Sequence, residues 1–200
     1  MNFKENRPLA FIVLAAAILL SILVQGSFGM ISRRADAQTA FAEGAMHEMT
    51  VRCAAQGELL GQMAALHLHT AALAQQNAAT AAMLGTEEYL ALPGQLQSLS
   101  QQLKATTDAN AALTILTDLH AGVEKTYTAL DMMQISDADF RNIKLAYYDF
   151  VGAIDILVRD GESPDSYADL ARSFNKDISG FPANLLRGVL GVDPLTVYGG

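Results

Sequence analysis

Two patterns of hydrophobic residues divide the chain, one continuous and one periodic. From Leu9 to Ile31 apolar residues dominate and no charged residue occurs before Arg33. Beyond this stretch, apolar residues recur at steps of three, four or seven, the spacing of one face of an α-helix. The pattern predicts an all-α protein in which an N-terminal transmembrane helix, residues 9–31, precedes an antiparallel bundle of roughly four long helices.

The continuous apolar stretch has the length that a membrane span requires. At about 1.5 Å per helical residue it extends about 34 Å, against a hydrocarbon core about 30 Å thick. Its strongly apolar residues contribute roughly −5 kcal/mol towards insertion, and no charge opposes them. The sequence therefore predicts a short amino tail over residues 1–8 and a single span that contacts the lipid bilayer through residues 9–31.

The charges around this stretch bear on whether it is an anchor or a cleaved export signal. Lys4 and Arg7 precede it, as in a signal, and residues 35–37 have the small-x-small form of a cleavage site. Arg33 and Arg34 lie between the apolar core and that site and disfavour processing. We expect an uncleaved anchor, with a cleaved signal as the alternative. Basic residues flank both ends equally, so they favour neither orientation of the body.

The periodic part predicts a helical domain over residues 35–192 and a flexible tail over residues 193–200. Its first half indicates one long helix over residues 35–84, continuous with the span or nearly so, with bends where glycines weaken it. These bends are predicted at Gly44, Gly57 and Gly61. Gly85 is expected to end that helix. Pro93-Gly94 is expected to interrupt the next segment, and residues 93–133 form either one helix or two.

The second half carries clearer boundaries. Ser136, with Asp139 three residues later, has the spacing of a capping box and opens a strongly amphipathic segment. Ser163-Pro164 predicts the start of another helix, with proline at its first position. A short helix over residues 183–190 is expected to close the domain.

Composition and motifs argue against nucleic-acid binding, metal binding and catalysis. The net charge of −8 argues against nucleic acid as a partner. The single Cys53 lies on the apolar stripe and is expected to be a small buried hydrophobe. His67 and His69 would lie about 200° apart on one helix and would not share a metal ion. The sequence therefore predicts no catalytic residues, no metal site and no cofactor.

The C-terminal segment contains an ordered set of aromatic, asparagine and glycine residues. An aromatic-Asn pair precedes Ile, followed by Phe-Pro-x-Asn-Leu, apolar residues and Gly. The positions are Phe174, Asn175, Ile178, Phe181, Pro182, Asn184, Leu185 and Gly191, and Tyr198 follows as a final aromatic residue. This order resembles the C-terminal signature of the LemA family. Leu190 and Val192 stand where the family often has Phe, so a divergent member is expected. The resemblance implies a membrane-anchored helical bundle, and the signature is interpreted as a structural helix end or, alternatively, a docking surface.

These observations favour a non-enzymatic scaffold or interaction protein of the bacterial cell envelope, single-pass in the cytoplasmic membrane. Its helical faces are expected to bind a protein partner or a second copy. The alternative is a sensor-type bundle that binds a small ligand or a signalling partner.

Overall fold

The computed structural model describes residues 7–160, 162–180 and 183–198, and within these residues the regular structure is entirely helical. The side chains of residues 7–9 and 160 lie outside this description. The described residues form ten successive helices, and their bounds are α1 Arg7–Glu43, α2 Ala45–His67, α3 Thr70–Leu73, α4 Ala78–Leu84, α5 Glu87–Leu90, α6 Leu92–Ala105, α7 Ala109–Asp131, α8 Asp137–Asp160, α9 Tyr167–Ser179 and α10 Ala183–Leu190. The predicted all-α class is confirmed.

Helix α1 combines the predicted span with a buried extension. Its part from Ala10 onward is long and apolar enough to cross a membrane, and none of the residues in the most apolar segment of that part is buried. The helix continues without interruption beyond Ile31, and Ala37 and Phe41 in this extension are fully buried. One helix therefore belongs both to the apolar stretch and to the packed body.

Four long helices, α2, α6, α7 and α8, form the bundle. Helix α6 runs antiparallel to α2, because Gly61 lies beside Pro93 whereas Gly57 lies beside Ser100. Helices α7 and α8 are also antiparallel, with the ring of Tyr127 stacked on that of Phe140 and, further along, His120 beside Phe150. The core between the four helices consists of large apolar side chains that are fully or almost fully buried, among them Leu60, Leu96, Leu103, Leu116 and Phe150.

The glycines of α2 permit close approach rather than bending. A Cβ atom on Gly57 would lie 2.8 Å from Leu119 Cδ1 and 2.8 Å from Ser100 Oγ. A Cβ atom on Gly61 would lie 3.2 Å from the carbonyl oxygen of Pro93. The bends predicted at these two glycines are wrong, since α2 is continuous through both, whereas the bend predicted at Gly44 is confirmed. Gly44 has extended backbone and separates α1 from α2.

The single long helix predicted over residues 35–84 is wrong, because polar side chains cap the starts of new helices at two further places. His69 Nδ1 accepts from the N–H of Ala71 at the start of α3. Asn77 Oδ1 accepts from the N–H of Thr80, at 2.8 Å, at the start of α4. Such caps satisfy N–H groups that have no partner within a helix, so a new helix becomes favourable there.

Four other predictions about helix boundaries have different outcomes. Pro93 does not interrupt the chain but lies in the first turn of α6, where its missing N–H costs nothing. The segment 93–133 forms two helices, because Asp108 caps α7 by accepting from the N–H of Ala111 at 2.9 Å. Ser136 accepts from the N–H of Asp139, which confirms the predicted cap of α8. The start predicted at Ser163-Pro164 is wrong, since Ser166 caps α9.

Helix α9 packs antiparallel to α1, and α10 contacts α1 nearer the N-terminus of that helix. From the body towards the apolar stretch, Phe41 meets Tyr167 edge-on at 5.5 Å between ring centroids, and Arg33 forms an ion pair with Asp177. Furthest along, a Cβ on Gly26 would lie 3.2 Å from Cδ1 of Leu186. The short helix predicted over residues 183–190 is confirmed as α10.

Candidate functional site

The signature segment divides between a buried side and an exposed side. Phe174 and Ile178, on one face of α9, are almost completely buried. Leu185, on α10, is exposed, and Asn184 lies in the first turn of α10, where its N–H donates to the carbonyl oxygen of Gly180 at 2.8 Å. Phe181 and Pro182 lie outside the described residues.

Gly191 ends α10 in a conformation that favours glycine. Its φ is +62°, in the left-handed region. The N–H of Val192 donates to the carbonyl oxygen of Arg187 at 3.1 Å, which is the longer hydrogen bond of a Schellman cap. The cap turns the chain away from α10 and directs the last residues back along the body.

Three polar side chains bind these last residues, and we call Asn110, Tyr167 and Asn175 the tail site. Asn175 donates through Nδ2 to the carbonyl oxygen of Leu195 and accepts at Oδ1 from the N–H of the same residue, both at 2.7 Å. Its amide therefore pairs with the backbone of the tail as a neighbouring strand would. Because both backbone groups of Leu195 are used, the register of the tail is defined at this residue.

Asn110 and Tyr167 bind the residues on either side of Leu195. Asn110 accepts at Oδ1 from the N–H of Thr196 at 2.7 Å and donates to the carbonyl oxygen of Pro194 at 3.1 Å. The Tyr167 hydroxyl donates to the carbonyl oxygen of Thr196 at 2.8 Å. The flexible tail predicted over residues 193–200 therefore needs correction for its described part, since residues 194–196 are bound on both backbone edges.

Beyond the tail site, a second group of polar side chains receives Tyr198, and we call it the His120 network. The Tyr198 hydroxyl and His120 Nδ1 share a hydrogen bond of 2.7 Å. Nε2 of the same imidazole lies 3.6 Å from Oε1 of Glu124. The Tyr147 hydroxyl donates to both carboxylate oxygens of Glu124, at 2.9 and 3.1 Å. The network joins the last turn of the tail to α7 and α8.

The protonation of this region is defined by burial. Burial first, and then the nearby Cys53 thiol, raise the pKa of Tyr198 to about 12. Burial, followed by the hydrogen bond to Glu124, raises the pKa of Tyr147 to about 12. Burial also raises the pKa of Cys53 to about 12, although Arg52 opposes it. At neutral pH these groups are protonated, so they act as hydrogen-bond donors and packing groups rather than as nucleophiles.

The histidines occupy separate positions. The ring of His47 packs edge-on against Phe41 at 5.9 Å, and His120 lies in the network described above. His67 ends α2 and His69 caps α3, so the expectation that both lie on one helix is wrong. Over the described residues, no three His, Cys, Asp or Glu side chains are grouped so that they could hold a metal ion.

An open groove between α6 and α7 is a further candidate site. Its volume is about 900 Å³, and its lining includes the small residues Gly94, Ala121 and Gly122. Lys125 and Glu88, which form an ion pair, also line it. Glycine and alanine on the two facing helices leave space for the groove. The spacing of apolar residues in the sequence does not predict such a groove.

Sequence reasoning missed most of the tail site. Asn110 lies in the first turn of α7, Tyr167 begins α9 and His120 lies within α7, and no sequence motif marks any of the three as part of a site. A polar residue at the start of a helix and an asparagine inside an amphipathic helix were the available signals. Neither reveals which backbone it binds, because the partner lies 20 residues away for Asn175 and 86 for Asn110.

The fold and site define a class: a helical bundle joined to a helix that could span a membrane, with the C-terminal tail bound to the body by asparagine side chains. Comparison of the chain with protein-family models, with curated proteins and with solved structures gives no match. The resemblance to the LemA family accordingly stays a prediction based on the signature residues.

Proposed function

We propose that this chain is a membrane-anchored scaffold or interaction protein of the bacterial cell envelope, single-pass in the cytoplasmic membrane and a divergent relative of the LemA family. The observation that carries the proposal is the continuity of α1. The same helix contains the apolar stretch and, through Phe41, packs against Tyr167 of the body. A bundle attached in this way is held at a fixed distance from the bilayer, which suits the presentation of a binding surface.

The bundle offers apolar surface for such binding. Leu145 and Tyr148 on α8 are both more than half exposed, and Leu145 lines a shallow depression with Leu59 and Met63 of α2. Exposed apolar side chains that lie together mark interaction surfaces more often than isolated ones do. A protein partner or a second copy would contact this face of α2 and α8.

The retention of the anchor is tested first. In membranes washed with alkaline carbonate, the full chain is expected in the lipid fraction, with the N-terminal residues detected by mass spectrometry of the intact protein. A chain that begins at Gln38 and remains in the aqueous fraction would overturn the proposal, because α1 would then be an export signal.

The interaction function is tested by photo-crosslinking in intact membranes. A photoreactive amino acid replaces Leu145 on the α2/α8 face or, as the matched control, Met132 at the end of α7, which is also an exposed apolar residue. We expect one defined adduct, reproducible in purified reconstituted components, from position 145 and not from position 132. Equal labelling from both positions would contradict a specific surface.

The groove between α6 and α7 favours a second candidate, a sensor-type bundle that binds a small ligand or a signalling partner. A volume of about 900 Å³ with a Lys125–Glu88 ion pair in its lining suits a polar organic molecule. Thermal shifts of the purified full chain in detergent, measured against a panel of small metabolites, test it. A shift that Ala121→Leu abolishes would favour the sensor function over the scaffold.

A further inference from the structure

Helix α10 contacts the apolar stretch of α1. Leu186 is 8% exposed, and its Cδ1 lies 3.2 Å from the position that a Cβ of Gly26 would occupy. Gly26 belongs to the stretch that ends at Ile31. A larger residue at position 26 would displace Leu186, so the absence of a side chain there permits the two helices to approach closely.

The position of this contact along α1 indicates its depth. At 1.5 Å per residue, Gly26 lies about 7.5 Å before Ile31 along the helix axis. Amphipathic helices that bind membrane surfaces are buried about 5–10 Å into the boundary between headgroups and acyl chains. If residues 9–31 span the bilayer, the contact with Leu186 therefore falls within this boundary layer.

The composition and exposure of α10 fit the same environment. Leu185, Val189 and Leu190 are 63%, 84% and 39% exposed, although all three are apolar. The helix contains no acidic residue, and its one charged side chain is Arg187. A guanidinium on a long stem can reach the headgroups while its methylenes remain among apolar atoms.

We propose that α10 lies in the membrane interface, with Leu185, Val189 and Leu190 in contact with lipid acyl chains. Because α10 contacts α1 at Gly26, its exposed apolar side chains would meet the same bilayer as the exposed apolar residues of α1. The inference rests on the proposed membrane anchor. It adds a second attachment, which would hold the body at a fixed angle and not only at a fixed distance.

Tryptophan fluorescence tests the inference directly, since the chain contains no Trp. Three full-length variants carry one tryptophan each: Leu19→Trp within the span, Val189→Trp on α10 and Leu66→Trp near the end of α2. Leu19 and Leu66 are exposed apolar positions, as Val189 is. Each variant is reconstituted into phosphatidylcholine vesicles with or without brominated acyl chains, which quench a tryptophan only on contact.

We expect brominated lipid to quench Leu19→Trp and Val189→Trp, and to leave Leu66→Trp unchanged. Quenching of Leu19→Trp without Val189→Trp would leave the anchor in place and overturn the inference. Quenching of neither would remove the anchor and the inference together. A blue-shifted Val189→Trp that brominated lipid does not quench would show that protein, in this assay a second copy of the chain, covers α10. Quenching of Leu66→Trp as well would show non-specific adsorption. Both outcomes contradict the inference.

A second variant separates lipid contact from folding. Val189→Asp in the Leu185→Trp background places a carboxylate in the proposed boundary layer, where an ionised group is costly. We expect the quenching of Leu185→Trp to fall while the helical circular dichroism is unchanged. Unchanged quenching would contradict the inference.

Discussion

The bundle and the C-terminal region are stabilised by different kinds of contact. In the bundle, α2, α6, α7 and α8 meet through large buried side chains and through Gly57, whose missing Cβ allows direct helix contact. The C-terminal tail is held by few but directional hydrogen bonds, chiefly those of Asn175 and Asn110. The first kind spreads its free energy over many residues, whereas the second concentrates it in single side chains. Substitutions should therefore unfold one region globally and release the other locally.

The largest effect is expected in the bundle, from Phe150→Ala. Phe150 is fully buried, so truncation leaves a cavity and should lower the free energy of unfolding by about 3–5 kcal/mol. Denaturant unfolding of the full chain in detergent, followed by circular dichroism, measures this. Tyr148→Ala on the same helix is the matched control, because Tyr148 is 61% exposed. Equal losses from both variants would contradict the assigned core.

A smaller and local effect is expected from Asn175→Ala. The substitution removes both hydrogen bonds to Leu195 and should cost about 1–3 kcal/mol. Amide hydrogen exchange is expected to accelerate over residues 193–198 and to remain slow in α2 and α8. Asn184→Ala replaces the other asparagine of the signature, which lies exposed in α10, and should leave exchange in the tail unchanged. A uniform acceleration through the bundle would show that the two regions are not separate.

Gly191→Ala tests the turn that leads into the tail. A non-glycine residue at a φ of +62° should cost about 1–2 kcal/mol. Gly188→Ala is the control, because Gly188 lies within α10 and a Cβ there would meet nothing within 4 Å. We expect faster exchange of the Val192 amide in the first variant only. Identical exchange in the two variants would argue against the Schellman cap.

Alkaline pH should weaken the tail and the core beside it. In the unfolded chain Cys53 and Tyr198 would lose their protons near pH 9.0 and 10.0, whereas burial in the folded protein raises the pKa of each to about 12. The folded state binds more protons over this window, so the stabilisation is complete below about pH 9 and is lost as pH rises towards 12. The midpoint of thermal unfolding, followed from about pH 8 to 11, measures the loss.

Tyr198→Phe removes one of the ionisable groups whose pKa is raised and keeps the ring. The variant should lose about 1 kcal/mol at pH 8, because the hydrogen bond to His120 is absent. Its further decline towards pH 11 should be shallower than that of the unchanged chain. A decline of the same steepness would show that Tyr198 does not contribute to the alkaline transition.

Predictability differed between elements for a physical reason. The boundaries of α8 and α10 followed from local signals, because Ser136 lies three residues before Asp139 and a short apolar run covers residues 183–190. The prediction of one long helix where the structure has α1 to α4 is wrong, because the helical spacing of apolar residues continues past each helix end. Gly44 separates α1 from α2, and the local hydrogen bonds of His69 and Asn77 start α3 and α4.

The all-α class, the apolar stretch that could span a membrane and the amphipathic faces follow from local sequence, because each depends on residues that are close together along the chain. The long-range contacts follow from helix packing alone. Among them are the contacts at Gly57 and Gly61, which were predicted as bends, the binding of the tail by Asn110 and Asn175, and the contact of Leu186 with Gly26. Such contacts join residues far apart in the chain. Their geometry arises only when the helices pack, so no local pattern encodes it.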